Sequence, residues 1–325
     1  MRKNDTNSIF NAAWITLNRV CNLRCKWCYC SDTNFSDKNT MNYELAMKIV
    51  DFCASCHVKQ ILLIGGEPTL YKQIIPLISY IKERGMKCFL ITNGLVFSNK
   101  SILDEYVKTG IDHISLSVKG NTSEEFFATT GVDAFNETIK ALKNLNESNI
   151  KYSISEILTK DNIVSLAKSS SFFIENGVKK VNFGFCYNFD YSGESYRDFI
   201  KNNNPYELAY LFKKHYEEIN NALIGLSWTL SQTLPSCVWD QKLLKIMQKR
   251  KQLYSICHLQ KGGSLIFDPE GFVIPCNVMY QLKLGKIFRD FSDFKTYIDF
   301  RNRMDIKKIY SRLKGAPHEI GRAHV

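Results

Sequence analysis

Strand-like and helix-like segments alternate six times between Trp14 and about Asn188, and this alternation limits the chain to few folds. Each unit pairs a short apolar run with a longer stretch whose apolar residues recur every three or four positions. Strand–helix units of roughly 30 residues make right-handed crossovers, which place successive strands parallel. The sequence therefore predicts an α/β fold with a partial (β/α)6 barrel. The predicted strands are Trp14–Leu17, Gln60–Ile64, Lys87–Thr92, His113–Val118, Tyr152–Leu158 and Lys180–Tyr187.

Three of the predicted helices have clear signals. Tyr43–Cys56 is amphipathic, because its apolar residues recur at helical spacing. Ile74–Arg84 is stopped by Gly85, and Ile102–Lys108 is followed by a glycine that ends it in the same way. Parallel sheets of this kind bind ligands where the strands end, so the functional residues are expected after the carboxyl ends of the strands.

The chain beyond the sixth strand has a different character. Residues from Phe189 to Leu253 are helix-rich and polar, and they predict a helical bridge with helices at Tyr206–Ile219 and Gln241–Leu253. A hairpin is predicted at Ser264–Cys276, because alternating apolar residues flank an Asp-Pro-Glu-Gly turn. The expected division is a lead-in at 1–13, a core barrel at 14–188, a bridge at 189–253 and a small, truncated extension at 254–318.

Charge and cysteine content limit the class of the protein. Its 325 residues are 45% hydrophobic and can bury a large core. The net charge of +11 has denser patches at 242–251 and 301–314, which are more typical of solvated helix faces than of a surface for RNA or an acidic peptide. Eleven cysteines without a signal peptide or a membrane-spanning run predict a cytoplasmic protein that binds metal, rather than a disulfide framework.

The most specific motif is the run Cys21-Asn-Leu-Arg-Cys25-Lys-Trp-Cys28, which follows the first strand. Three thiolates within eight residues suit an iron–sulfur cluster, for which Cys is the usual ligand. Three protein ligands would leave one of four irons open, and an open position is typical of a catalytic metal site. No His lies at zinc-finger spacing, and Cys30 follows too closely to complete a tetrahedral set. Buried or zinc-binding cysteines are the alternative interpretation.

At these residues the chain resembles the radical S-adenosylmethionine (radical SAM) enzymes, which share the C-x3-C-x2-C spacing. The resemblance implies a 4Fe-4S cluster held by Cys21, Cys25 and Cys28, with S-adenosylmethionine bound to its open iron. It also implies an electron donor of the flavodoxin or ferredoxin type. The expected product is a 5′-deoxyadenosyl radical that abstracts a hydrogen atom. The resemblance covers residues 14–188 well and residues 237–290 partly.

The second strand ends in Gly65-Gly66-Glu67, which looks like the GGE motif of this family. Two glycines let a backbone come close to a ligand. The resemblance implies that the backbone of this motif and its Glu receive the ammonium group of S-adenosylmethionine. An ordinary strand-to-helix turn is the alternative.

Further cofactor-binding residues are implied at the ends of the next strands. Ser117 sits where the family bonds the ribose or the methionine carboxylate, and Lys119 is a candidate partner for that carboxylate. A Ser in a strand is otherwise a satisfied polar residue. The remaining candidates are Asn93, Ser155 and Glu156.

Four other cysteines lie in the predicted barrel. Cys53 and Cys56 form a C-x2-C pair, but both fall on the apolar half of a helix, so core packing is the expectation. Cys88 on the third strand is interpreted in the same way. Cys186 near the end of the sixth strand could reach the cavity and is a candidate hydrogen-atom donor.

A second group of cysteines is similar to the start of a SPASM or Twitch extension. Cys257 and Cys276 are spaced as C-x13-G-x4-C, and such modules carry auxiliary iron–sulfur clusters in radical SAM enzymes that act on peptides and proteins. Cys237 sits where several such enzymes place an upstream ligand. The resemblance therefore implies an auxiliary 4Fe-4S cluster with Cys237, Cys257 and Cys276 among its ligands. Three unrelated buried thiols are the alternative.

A complete SPASM extension should continue with further cysteines, and none follows Cys276. The last seven residues, Glu319–Val325, back-translate to the start of a widely used sequencing adapter. We therefore expect that the natural chain was cut near His318 and that residues 319–325 are an artefact.

Together these features predict a radical SAM enzyme that modifies a peptide or protein substrate and has no membrane partner. A radical SAM enzyme that modifies RNA is the second interpretation, favoured by the net charge, although no RNA-binding motif of the RRM type is present. The third is a non-enzymatic, cysteine-rich metal-binding interaction module. The whole strand–helix series argues against it.

Overall fold

One sheet of eleven strands organises the computed structural model, which describes residues 10–186, 203–231, 238–254 and 264–304. The strands are β1 Ala12–Thr16, β2 Gln60–Ile64, β3 Lys87–Thr92, β4 His113–Val118, β5 Tyr152–Leu158, β6 Lys180–Phe185, β7 Ser227–Ser231, β8 Leu253–Tyr254, β9 Ser264–Phe267, β10 Phe272–Val273 and β11 Gly285–Lys286. Their order across the sheet is β11-β10-β9-β1-β2-β3-β4-β5-β6-β7-β8. Neighbours from β9 to β8 are parallel, whereas β10 runs antiparallel to both β9 and β11.

Helices occupy most of the connections between the strands. They are α1 Tyr43–Ser55, α2 Ile74–Glu83, α3 Lys100–Lys108, α4 Ser123–Thr130, α5 Phe135–Asn146, α6 Lys160–Ile163, α7 Leu166–Ser169, α8 Ser171–Glu175, α9 Pro205–Ala222, α10 Gln241–Lys249 and α11 Phe294–Arg303. No helix in the described ranges is both long and apolar enough to cross a membrane.

The two faces of the sheet differ in burial. Alternate residues of each strand point to opposite faces. On one face, side chains such as Ile15, Ile61 and Leu90 are fully buried and pack with the helices in the main hydrophobic core. The other face, called the inner face below, consists mostly of half-buried side chains. It carries Trp14, Thr16, Leu62, Ile64, Phe89, Ile91, His113, Ser115, Ser117, Ser153, Ser155, Ile157, Asn182, Gly184 and Thr229.

The first half of the fold agrees closely with the sequence prediction. The bounds of β2, β3, β4 and β5 equal the predicted ones. β1 begins two residues earlier than predicted, and the predicted end of β6, Tyr187, lies outside the described residues. Helix α1 begins after Asn42, whose side chain accepts hydrogen bonds from the backbone of Glu44 and Leu45. Gly85, with φ of +73°, follows the end of α2.

The segment predicted as a helical bridge also contributes two strands. The predicted helix Gln241–Leu253 ends at Lys249, and the chain then enters β8. β7 has the sequence Ser-Trp-Thr-Leu-Ser and pairs in parallel with β6. This sequence alternates strictly between polar and apolar residues, which is a strand signal that the prediction overlooked within a segment read as helical. Its Trp228 and Leu230 are buried in the main core.

The predicted hairpin is confirmed as β9 and β10. Its turn is fixed by Asp268, whose Oδ1 accepts hydrogen bonds from the backbone N of Glu270 and Phe272 at 3.0 and 2.8 Å. Gly271 adopts φ of +84°, which favours glycine. β9 also pairs in parallel with β1, so the hairpin continues the core sheet. The predicted domain boundaries stay a prediction.

Candidate functional site

The cysteine loop, residues 19–30, follows β1 at the carboxyl edge of the sheet. Two backbone hydrogen bonds fasten it to the end of α4, from Arg24 N to the carbonyl of Thr130 at 3.1 Å and from Lys26 N to that of Thr129 at 3.0 Å. Leu23 is buried in a small apolar group with residues of α4 and α5. The loop is therefore held in place along its length. The three motif cysteines, Cys21, Cys25 and Cys28, are half-buried on it.

Burial favours the neutral form of two of these thiols. It raises the pKa of Cys21 to about 11, while the backbone N–H of Leu23 and the charge of Lys119 oppose the rise. The pKa of Cys28 lies well above its usual range, chiefly because its side chain is hydrogen-bonded to Cys30, and burial adds to this. The thiolate is the form that binds metal, so metal binding at this loop would release these protons.

The donor set fits an iron–sulfur cluster better than a single metal ion. In the described part of the chain, no three His, Cys, Asp or Glu side chains converge closely enough to hold one ion. A 4Fe-4S cluster instead takes each thiolate on a separate iron, which keeps the ligands apart. Cys30 is 1% exposed, accepts a hydrogen bond from Arg19 Nη1 at 3.3 Å and is hydrogen-bonded to the side chain of Cys28, so it lies beneath the loop. The residues that would hold the cluster are Cys21, Cys25 and Cys28.

The Gly65-Gly66 turn packs against the chain that leads into the cysteine loop. Gly66 N donates to the carbonyl of Asn18 at 3.0 Å. A Cβ on Gly66 would overlap the backbone oxygens of Arg19 and Val20, and one on Gly65 would lie 2.6 Å from Asn18 Oδ1. Gly66 is thus required by the approach of two backbone segments of this protein, whereas a Cβ on Gly65 would press mainly on the Asn18 side chain. The approach of this turn to a ligand, which the sequence suggests, stays a prediction.

The Glu67 carboxylate is 1% exposed and has four hydrogen-bond donors. Oε1 accepts from Thr69 N at 3.0 Å, Thr69 Oγ1 at 2.7 Å and Thr92 Oγ1 at 2.6 Å, and Oε2 accepts from Asn93 N at 2.8 Å. Burial raises the pKa of this carboxyl, and the hydrogen bonds oppose the rise. Oε1 accepts three of these bonds and Oε2 accepts one, so Oε2 keeps one acceptor site. The Glu67 side chain therefore ties the ends of β2 and β3 together, and the contact of this motif with an ammonium group stays a prediction.

Asn93 connects this network to the cysteine loop. Its side chain is 8% exposed, and Nδ2 donates to Asn22 Oδ1 at 2.8 Å. Asn93 Oδ1 accepts from Leu95 N at 3.1 Å. A residue predicted as a cofactor ligand is thus in direct contact with the loop that carries the three cysteines.

Ser117 and Lys119 lie at the end of β4 on the side of the cysteine loop. Ser117 is half-buried on the inner face, where it is paired in register with Ser155 of β5. Lys119 lies near Cys21, since its charge lowers the pKa of that thiol. The structure therefore brings the predicted cofactor residues Gly65, Gly66, Glu67, Asn93, Ser117 and Lys119 to the same edge of the sheet as the cysteines.

Glu156 lies on the opposite face of the sheet from Ser117 and Ser155. It shares a strand face with Ile154 and Leu158, which pack in the main core, and it is 3% exposed. Oε1 accepts a weak hydrogen bond from Asn121 Nδ2 at 3.4 Å. Burial raises the pKa of Glu156 to about 8, and a neighbouring carboxylate adds to the rise, while Asn121 and Lys119 oppose it. Glu156 is therefore not on the inner face, where a cofactor residue was expected.

The inner face has an apolar half and a polar half. Ser153 Oγ accepts from Asn182 Nδ2 at 3.2 Å, and Asn182 Oδ1 accepts from Thr229 Oγ1 at 2.9 Å. His113 Nε2 lies 2.9 Å from the same Ser153 hydroxyl. The face can thus contact an organic molecule through both apolar groups and hydrogen bonds. The apolar half is Trp14, Leu62, Ile64, Phe89 and Ile91, and the polar half is Ser115, Ser117, Ser153, Ser155, Asn182 and Thr229.

Residues after the hairpin contact the start of the cysteine loop. Thr16 Oγ1 donates to Asn277 Oδ1 at 3.2 Å. The Arg19 guanidinium, 3% exposed, lies 4.6 Å from the ring centroid of Tyr280. The segment that carries Cys276 is therefore next to the predicted cluster site.

The predicted auxiliary ligands are only partly described. Cys276 is half-buried, one residue before Asn277. Cys237 and Cys257 lie outside the described residues. The auxiliary ligand set stays a prediction.

The remaining cysteines are buried. Cys53, Cys56 and Cys88 belong to the main hydrophobic core, as predicted. Cys186 is 4% exposed and packs with Trp27, which lies between two of the motif cysteines. It is therefore near the cysteine loop, and its role as a hydrogen-atom donor stays a prediction.

Sequence reasoning missed three residues of the site. Arg19 supports the loop through Cys30 and Tyr280, and Asn22 bonds Asn93. The one sequence signal was a charged residue, Arg19, directly between an apolar strand and the motif. Asn22 and Tyr280 gave no signal, because their contacts join segments far apart in the chain.

Comparison with known proteins agrees with this geometry. A sequence model described as the Radical SAM superfamily matches residues 15–168. Among curated relatives, an Fe-coproporphyrin III synthase of Methanosarcina barkeri is 27% identical over 179 residues, covering 54% of this chain and 43% of that protein. A probable GTP 3',8-cyclase of Sulfurisphaera tokodaii is 27% identical over 170 residues, covering 52% and 53%. The chain spans about half the length of these relatives.

Solved structures share the fold. Streptococcus suis SuiB bound to precursor peptide SuiA has a TM-score of 0.67 at 20% identity, covering 86% of this chain and 62% of that one. Native anSMEcpe with bound AdoMet and the Kp18Cys peptide has a TM-score of 0.61 at 18% identity, covering 92% and 80%. Residues 15–168 of this chain therefore form a radical SAM superfamily domain, and the cofactors that this family implies are a 4Fe-4S cluster and S-adenosylmethionine.

Proposed function

We propose that this protein reductively cleaves S-adenosylmethionine and uses the resulting radical to modify a peptide or protein. The observation that carries the proposal is the position of the cysteine loop. Three half-buried thiols lie at the carboxyl edge of a parallel sheet, joined to the GGE turn through Asn22, Asn93 and Glu67. This edge is where parallel α/β sheets bind their ligands.

The residues of the site have separable roles. Cys21, Cys25 and Cys28 hold the cluster, and Ser117 and Lys119 orient S-adenosylmethionine. A 4Fe-4S cluster held there and reduced by a donor of the flavodoxin or ferredoxin type would supply the one electron that cleaves S-adenosylmethionine to methionine and a 5′-deoxyadenosyl radical. The half-buried inner face below the loop keeps the substrate next to that radical and limits access of water.

A peptide is the substrate class that the surroundings support best. The polar half of the inner face offers hydroxyl and amide groups that suit peptide N–H and C=O groups, and the apolar half suits a side chain. SuiB bound to precursor peptide SuiA and anSMEcpe bound to the Kp18Cys peptide both share this fold. RNA modification, the second sequence interpretation, has no comparable support from the site.

We further propose that Cys276, with Cys237 and Cys257, contributes to an auxiliary 4Fe-4S cluster. The contacts of Asn277 with Thr16 and of Tyr280 with Arg19 bring the neighbourhood of Cys276 next to the cysteine loop. An auxiliary cluster bound by Cys276 would lie beside the cluster of the cysteine loop. It would exchange electrons with that cluster or with the substrate.

The test is anaerobic reconstitution of the whole chain with iron and sulfide, followed by dithionite and S-adenosylmethionine. We expect brown protein that forms 5′-deoxyadenosine and methionine. The triple variant Cys21→Ala, Cys25→Ala, Cys28→Ala should lose about four irons and all cleavage. Colourless protein that retains zinc would overturn the proposal in favour of a metal-binding module. Any iron that remains in the triple variant is assigned to the auxiliary cluster. Loss of all iron would refute the auxiliary cluster but not the cleavage of S-adenosylmethionine.

A further inference from the structure

Asn18 joins the end of β1 to the GGE turn. It lies two residues after β1 and three residues before Cys21. Its carbonyl accepts from Gly66 N at 3.0 Å, and its side-chain Nδ2 donates to the carbonyl of Glu67, also at 3.0 Å. Because a carbonyl oxygen can only accept, this second bond fixes which way the amide of Asn18 is turned.

The other polar atom of this amide, Oδ1, is buried without a donor. The side chain of Asn18 is 1% exposed, and no donor in the described part of the chain reaches Oδ1. A buried acceptor that lacks a partner destabilises the fold, so native proteins keep few of them. Those that they keep are typically paired by a ligand or by bound water. Oδ1 is therefore an acceptor that awaits a donor from outside the described residues.

Oδ1 lies against Gly65, the first residue of the GGE turn. A Cβ on Gly65 would lie 2.6 Å from Oδ1. A larger residue would therefore press the amide aside, whereas glycine leaves it in place. Negative charge is also close, because the Glu67 carboxylate is buried at the same turn and its Oε2 keeps one acceptor site. The surroundings of Oδ1 therefore favour a donor with positive character.

S-adenosylmethionine, the cofactor that the radical SAM family implies, carries such a donor. Its amino group offers N–H donors, whereas its carboxylate only accepts. The ribose hydroxyls and the adenine amine are neutral donors, which a site beside a carboxylate favours less. The carboxylate has a predicted cationic partner in Lys119 at the end of β4. The amino group is thus the part of the cofactor that fits Oδ1.

We propose that Asn18 Oδ1 accepts a hydrogen bond from the amino group of S-adenosylmethionine. Asn18 then has two roles, since Nδ2 holds the GGE turn and Oδ1 binds the cofactor. The inference rests on the proposed function, which supplies the cofactor. It adds a side chain that recognises the amino group, so the protein should discriminate against analogues that lack this group.

Binding of three ligands to the reconstituted, unreduced whole chain tests the proposal, with dissociation constants measured by anaerobic equilibrium dialysis. The ligands are S-adenosylmethionine, its decarboxylated analogue, which keeps the amino group, and S-adenosyl-4-methylthiobutyrate, which has hydrogen in place of that group. The variant Asn18→Leu removes both polar atoms, and Asn18→Asp keeps Oδ1 but loses the donor to Glu67. The control is Asn144→Leu, because Asn144 Nδ2 also donates to a backbone carbonyl, that of Phe97 at 2.8 Å, in another part of the fold.

We expect Asn18→Leu to bind both ligands that carry the amino group about tenfold more weakly than wild type. Its affinity for S-adenosyl-4-methylthiobutyrate should change by less than about twofold, because that ligand has no N–H to lose there. Asn18→Asp should keep the wild-type preference for the amino group, and Asn144→Leu should bind all three ligands as wild type does. If Asn18 only holds the turn, Asn18→Leu and Asn18→Asp weaken all three ligands alike, which would overturn the proposal.

Iron content is measured first, since Asn18 lies next to the cysteine loop. If Asn18→Leu lacks iron, Gly65→Ala takes its place, because the new Cβ displaces Oδ1 while residue 18 stays asparagine. The same selective loss is expected in Gly65→Ala, and an unchanged preference for the amino group would refute the inference. Wild type that holds iron but binds none of the ligands would refute the proposed function together with this inference. Wild type that cleaves S-adenosylmethionine, beside an Asn18→Leu variant with unchanged affinities, would refute the inference alone.

Discussion

The side-chain amide of Asn93 donates a 2.8 Å hydrogen bond to Asn22, in the middle of the cysteine loop. The backbone N of the same Asn93 donates to Glu67. One residue at the end of β3 therefore fixes the loop that carries the predicted cluster ligands relative to the GGE turn. The two parts of the site that the sequence presents as separate motifs are one hydrogen-bonded unit.

Substitution of single cysteines separates cluster ligands from core residues. Changing Cys21, Cys25 or Cys28 to Ala should abolish cleavage of S-adenosylmethionine, because three ligands are the minimum for a cluster with one open iron. Cys53→Ala, at a fully buried core position, is the matched control and should keep the cluster at a cost of about 1 kcal/mol of unfolding free energy. Iron content and 5′-deoxyadenosine formation are measured. A Cys53 variant without iron beside a Cys25 variant with iron would refute the assignment.

Gly66→Ala should disturb the cysteine loop itself. Its Cβ would overlap the backbone oxygens of Arg19 and Val20, so the chain before the motif must shift. We expect loss of both bound iron and cofactor affinity. Gly184→Ala on β6 is the control, because its nearest contact is an ordinary 3.6 Å to Ile157 Cδ1. Full iron content in the Gly66 variant would show that the close approach is not needed for the cluster.

Glu67→Gln should weaken the join between β2 and β3. The new NH2 group would face either Asn93 N–H or the donors of Thr69 and Thr92, so at least one buried donor loses its acceptor. A cost of about 1–3 kcal/mol is expected. Urea unfolding of the cluster-free protein measures it. Thr69→Val removes only one hydroxyl donor and should cost less, and an unchanged midpoint for Glu67→Gln would contradict the proposed role.

Glu156 should make stability depend on pH. Its pKa is about 8 in the fold against 4.5 in the unfolded chain, so the folded state holds a proton that the unfolded state has lost. The part of the stability that comes from this proton is fully present below about pH 4.5 and is lost as pH rises through about 8. Glu156→Gln should therefore be more stable than wild type at pH 9, measured by thermal unfolding. Glu83→Gln, at an exposed site, is the control, and a wild-type-like pH profile in the Glu156 variant would disprove the effect.

The sequence alone predicted the individual strands and the cysteine motif, because both are encoded by neighbouring residues. Strands β2 to β5 were found with their bounds because each is a short apolar run between turn residues. The cysteine spacing likewise predicted the candidate ligands. Pairing of β9 with β1 could not be predicted, since it joins residues about 250 positions apart and depends on the tertiary fold.

Side-chain direction could have been predicted better than it was. Glu156 lies two residues from both Ile154 and Leu158, and strand alternation places all three on the helix side. The roles of Arg19 and Glu67 required the structure, because their partners come from other segments. A buried carboxylate that accepts four hydrogen bonds from the protein and one that binds a ligand look the same in the sequence. Only the groups around them in the fold distinguish the two.

The parallel pairing of β9 with β1 has a consequence for how the chain is made. During synthesis β2 follows β1 and covers one of its sides, but β9, the strand on its other side, appears only about 250 residues after β1. Until then the strand that leads into the cysteine loop has an open edge, which is a site for mispairing with other chains. A cluster inserted into the nascent chain would therefore bind to a loop whose supporting strand, β1, is paired on one side only. We expect that the site matures only after Ser264–Phe267 has been synthesised and has docked on β1.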